Sequence, residues 1–71
     1  MPFGNPNLPL AVRVAFDELR RQRAVTDSVI LTQAAGRSLI RAMREAGFTR
    51  EDGVMLAFHA VALGNRDAGR S

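Results

Sequence analysis

The stretch from Gly53 to Gly64, reading GVMLAFHAVALG, constrains the fold more than any other segment, because it is apolar on nearly every side. Wound at about 3.6 residues per turn, it presents Val54, Phe58 and Val61 on one face, Met55, His59 and Ala62 beside them, and Leu56 and Leu63 opposite. The remaining sector carries only small residues, Gly53, Ala57, Ala60 and Gly64, a spacing that lets another backbone come close. A helix that is apolar all round is normally buried. The rest of a 71-residue chain has room for two further helices, which can cover some of these faces and not all of them. An uncovered face implies a partner, either a second copy or another protein.

Length sharpens that expectation. A chain this short forms one domain and buries only about 60% of the surface its unfolded form exposes, so oligomerisation is an expected added stabiliser. Disulfides and thiolate metal sites are excluded because cysteine is absent, and a single histidine argues against an all-protein zinc site. No metal or cofactor is expected. All ten basic residues are arginine, against seven acids, for a formal charge of +3. That balance permits contact with nucleic acid or with an acidic protein surface. The segment MPFGNPNLPL has neither a positive leader nor a long apolar core, and the longest apolar run is shorter than the roughly 20 residues of a membrane span. The reading is therefore a cytoplasmic protein.

Residues 1–7 hold two prolines, a glycine and two asparagines and read as an N-terminal arm, with Phe3 available to tuck into the domain or reach a neighbour. The first helix is placed at about 8–23, with Asn7 or Leu8 at its start, Pro9 in its first turn, and Leu8, Val12, Ala15, Phe16 and Leu19 on one face. Arg20, Arg21 and Arg23 suit the negative end of its dipole. Thr26 or Asp27 then caps a second helix over 27–46. Its apolar register changes from Ile30, Leu31 and Ala34 to Leu39, Ile40 and Met43, which predicts an irregularity near Gly36. Arg37, Arg41 and Arg44 form one stripe opposite Leu39, Ile40 and Met43, the surface expected to meet phosphate if the chain binds nucleic acid. In EAGFTRED, Gly47 reads as a left-handed C-cap with Phe48 as its apolar companion, and Thr49 caps the last helix, 50–63. Residues 8–64 thus form a small all-α, three-helix domain ending in a helical hairpin, and 65–71 read as a flexible polar tail.

Residues 43 to 65, with AGF between two helices and Ala-rich apolar positions after it, resemble the first hairpin of ubiquitin-associated domains, whose loop commonly reads MGF or MGY. The resemblance covers about a third of the chain and implies the hairpin's shape; it does not extend to that family's third helix. TQAAGRSLIRAMREAG is similar to the turn of a helix-turn-helix, with Thr32 and Ala42 at its two diagnostic positions, Ala42 fitting badly, and to the GRS portion of ribbon-helix-helix repressors. The ribbon would need LAVRVAF as a strand, whereas Leu8, Val12, Phe16 and Leu19 keep helical spacing.

Candidate chemistry is sparse. Asp17 with Glu18 and Glu51 with Asp52 are adjacent pairs on different helix sides, Ser28 and Ser38 lack a neighbouring histidine, and no glycine-rich phosphate loop is present. His59 lies among apolar residues, as a packed or interface histidine would. The sequence therefore reads as a non-enzymatic interaction or regulatory module, of the kind expected of a phage or mobile-element accessory protein, acting as a homodimer or on a larger protein. Its interface is assigned to Met55, Leu56, His59, Ala60 and Leu63 of the last helix. The alternatives are a small DNA-binding regulator using Arg37, Arg41 and Arg44, and a structural subunit of a larger assembly. No small-molecule substrate is evident.

Overall fold

The structure, a computed structural model, describes residues 8–70. The arm at 1–7, with Phe3 and the Asn7 cap, lies outside the described residues. The chain is an all-α, three-helix domain: α1 (Leu10–Val25), α2 (Val29–Glu45) and α3 (Arg50–Asp67). None of these helices is long and apolar enough to cross a membrane.

Local chemistry sets the boundaries, and several fall away from the sequence expectation. Helix α1 starts later because Pro9 occupies the N-cap rather than the first turn, its carbonyl accepting the N–H groups of Val12 and Arg13 at 3.0 and 3.1 Å. Ser28, not Thr26 or Asp27, caps α2: its Oγ accepts the Leu31 N–H at 3.3 Å, while Thr26 Oγ1 accepts the Ser28 N–H at 3.0 Å and tightens the link. The irregularity expected at Gly36 is absent, and α2 runs through it as continuous helix. Both apolar registers coexist on one uninterrupted helix because only the second is buried. Leu39 and Met43 enter the core, whereas Val29, Ile30 and Leu31 stay exposed.

The hairpin forms as its sequence implies. Gly47 has φ +93°, a region that only glycine enters without strain. It completes a Schellman turn in which Phe48 N–H reaches Met43 C=O and Gly47 N–H reaches Arg44 C=O, both at 3.0 Å. Thr49 Oγ1 accepts the Asp52 N–H at 3.1 Å and starts α3.

Helix α3 does not stop at Leu63. It continues to Asp67 and closes with a second Schellman turn, Gly69 at φ +78° and Arg70 N–H on Asn65 C=O at 2.8 Å. The expected polar tail is therefore folded through Arg70, and side chains fasten it. Arg20 grips Asp67 through two hydrogen bonds of 2.6 and 3.0 Å, Arg23 Nε donates to Asn65 Oδ1 at 2.6 Å, and Arg70 donates to the Arg23 carbonyl at 2.6 Å while pairing with Asp27 at 2.9 Å. Sequence assigned Arg20 and Arg23 to the helix dipole; the structure gives them a tertiary role as well.

Helices α1 and α3 run parallel, since Phe16 meets His59 and Arg20 meets Asp67, with α2 antiparallel to both. The core is Val12, Leu19, Leu39, Met43, Leu56 and Ala60. The small-residue sector of α3 faces inward, where absence of side chains sets helix spacing. A Cβ on Gly53 would lie 3.3 Å from Ile40 Cα on α2, and one on Gly64 would lie 2.6 Å from both the Arg20 carbonyl oxygen and Arg23 Cβ on α1.

Candidate docking seam between the second and third helices

Two neighbours leave one flank of α3 open. The hairpin turn holds α2 and α3 together at one end. Beyond it, an apolar groove of about 300 Å³ opens between them, lined by Ile40 and Gly36 on α2, Val54, Ala57, Phe58 and Val61 on α3, and Leu19 of α1 at its base. Thr32, Gln33 and Arg37 form its polar lip. Phe58 stands on the opposite lip with 71% of its surface exposed, and Met55, one turn earlier, is 60% exposed. By helical spacing Val29 and Ile30 sit one turn beyond Gln33, on its side of α2, and both are exposed. Among the described residues the floor over Gly36 is open: a Cβ there would meet nothing within 4 Å.

At the hairpin end the seam turns basic. Arg37, Arg41 and Arg44 of α2 and Arg50 at the start of α3 surround Ile40, with Glu45 as the one acid. Among the described residues no hydrogen bond or ion pair engages these four guanidinium groups. Arg20, Arg21, Arg23 and Arg70, in contrast, are held by Asp67, Glu18, Asn65 and Asp27 respectively. Perturbed carboxylates lie among those held pairs. The Arg20 hydrogen bond keeps Asp67 below the usual carboxylate range, and hydrogen bonds from Arg21 and Gln22 do the same for Glu18.

The interface assigned from sequence is only partly at the surface. Leu56 and Ala60 are corrected: they are 1% and 0% exposed, packed in the core between the helices, and no partner reaches them. Leu63 is half-buried. Met55 and His59 are exposed, His59 with its ring 5.9 Å from that of Phe16 on α1. The stripe of Arg37, Arg41 and Arg44 is exposed as expected. Sequence reading missed Phe58 and Arg50. Val54, Phe58 and Val61 do share a face in the helical projection, but nothing in the projection says which of three apolar faces is left uncovered. Arg50 joins the stripe only because the hairpin folds back.

The serines serve helix geometry, Ser28 as a cap and Ser38 by donating to the Ala34 carbonyl at 3.2 Å. No family model, curated protein or solved structure matches the chain.

Proposed function

We propose that this chain is a non-enzymatic protein-interaction module that receives a helical segment of a larger protein in the α2–α3 seam. The observation that carries the reading is Phe58, a large aromatic held out on the lip of an apolar groove it does not fill. Exposed apolar surface gathered around a groove marks an interaction site more strongly than the same residues scattered singly. Gly36 supports it. Glycine in a helix interior costs up to about 1 kcal/mol relative to alanine, and no neighbouring atom among the described residues requires its absence of side chain. A ligand that needs the floor clear does.

A second copy fits this seam poorly. A two-fold interface pairs a surface with itself, so it offers the four arginines at one end of the seam only Glu45 among the residues lining that end as an opposite charge. A groove of this shape instead suits the helix-in-groove mode, with apolar anchors at i, i+4 and i+7. One further reading has specific support: the convergence of Arg50 on the stripe favours contact with nucleic acid phosphate over a merely solvated face.

The test is selection from a display library of helical peptides about three turns long, using the native chain as target and Phe58→Asp as counter-target. Circular dichroism confirms that the variant folds. The reading expects enriched peptides that lose at least about tenfold in affinity on Phe58→Asp, the scale of a buried aromatic anchor. Failure to enrich binders, or binders indifferent to the substitution, contradicts it.

A further inference from the structure

We infer that the segment received by the seam is an amphipathic helix with an apolar end and an acidic end, an inference that rests on the docking reading above. The seam changes character along its length. Its open end is apolar, around Phe58 and Val61, and its hairpin end is ringed by arginines, with Arg37 and Ile40 bordering both parts so that the surface is continuous. Four arginines and one glutamate line this end, a local balance of +3, while Glu51 beside Arg50 lines the adjoining surface toward Met55.

Internal structure does not account for that charge. Arg37 and Arg41 are four residues apart and Arg41 and Arg44 three apart, spacings at which like charges weaken a helix. The dipole of α2 favours a cation in its last turn, which covers Arg44. It does not cover Arg50, which opens α3 at the end where cations are disfavoured. Elsewhere in the described residues Arg20, Arg21 and Arg70 are answered by acids of the same chain, whereas Arg13 and Arg66 stand singly on the surface and are not. At the seam four such arginines are gathered on one surface, open to the acids of a docked segment.

Carboxylates on the docked helix answer them, since a guanidinium binds a carboxylate through two parallel hydrogen bonds. The dimensions agree. From Arg50 to Val61 the seam follows α3 for about 16 Å, enough for about three turns of a second helix, with carboxylates over the arginines and apolar anchors beside Phe58. Nucleic acid is the less favoured occupant, because an empty apolar groove has no counterpart on a phosphate backbone.

The experiment uses the peptides selected on the full chain. Phe58-sensitive binders are expected to be enriched in Asp and Glu at one end, to weaken as salt rises, and to lose about tenfold on Arg37→Gln, Arg41→Gln, Arg44→Gln and Arg50→Gln together. Replacing the four arginines by glutamate should restore binding to peptides whose acids are changed to lysine. Phe58-sensitive binders lacking acids, with affinity independent of salt, overturn the inference and leave the docking reading standing. Binders indifferent to Phe58, or none, remove the docking reading and the inference with it. Tighter, arginine-dependent binding of a DNA duplex about 20 base pairs long, with a steep salt dependence, overturns the inference in favour of phosphate.

Discussion

At the scale of single residues, neighbouring positions on α3 have opposite roles. Leu56 is sealed in the core and Phe58 stands in solvent. Leu56→Ala should cost about 2–5 kcal/mol, a large part of the stability of a domain this small. Phe58→Ala should leave the unfolding midpoint nearly unchanged and remove docking. Denaturant titration of the two variants separates them, and equal losses would mean that Phe58 is packed after all. The helical projection could not make this distinction: on a helix apolar all round, periodicity has no phase, and burial is decided by where α1 and α2 lie. The glycines divide in the same way. Gly64→Ala drives a methyl into the Arg20 carbonyl and the Arg23 stem and should destabilise by about 1–3 kcal/mol. Gly36→Ala meets nothing and should stabilise by up to about 1 kcal/mol while filling the seam's floor and weakening peptide binding. Thermal melts read both signs; a Gly36→Ala variant that binds as well as the native chain would show that the floor is not used.

At the scale of elements, what was legible in the sequence is what local chemistry decides alone. Gly47, Phe48 and Thr49 specify the hairpin through bonds that span a few residues, and it forms as read. The extension of α3 past Gly64 was not legible, because it depends on Arg20, Arg23 and Asp27 meeting Asn65, Asp67 and Arg70 across more than forty positions. Nor was the continuity of α2, since an abrupt change of apolar register looks like a break until Val29, Ile30 and Leu31 prove to be exposed. The clasp at the end of α3 carries a pH dependence of definite sign. Asp67 is depressed in the folded state by the Arg20 hydrogen bond, so its stabilising contribution is complete above the ordinary carboxylate pKa near 3.9 and is lost as pH falls through the lower folded value. Glu18 acts in the same direction through Arg21 and Gln22. The protection factors of the amides in the last turn of α3, corrected for the intrinsic slowing of exchange in acid, should therefore fall on acidification, and Asp67→Asn should produce that looser turn at neutral pH. Equal protection in the variant and the native chain at neutral pH would mean that the backbone turn at Gly69 suffices without the clasp.

At the scale of the whole molecule, α1 and α2 close two flanks of α3 and leave a seam, apolar at one end and basic at the other. The sequence conveyed that something would be left uncovered, because two helices cannot surround a third. It did not convey where, because the location follows from the parallel packing of α1 on α3 around Gly64. It also named self-association as a stabiliser, which the oligomeric state in solution decides. On the proposed reading the protein is a folded monomer whose open surface receives a different protein. Sedimentation equilibrium over a wide range of protein concentration and salt tests that reading most directly. The reading predicts a single species at the 7.7 kDa chain mass throughout. A dimer that persists in high salt and dissociates on Phe58→Asp would contradict it, and would make the seam the contact between two copies of this chain.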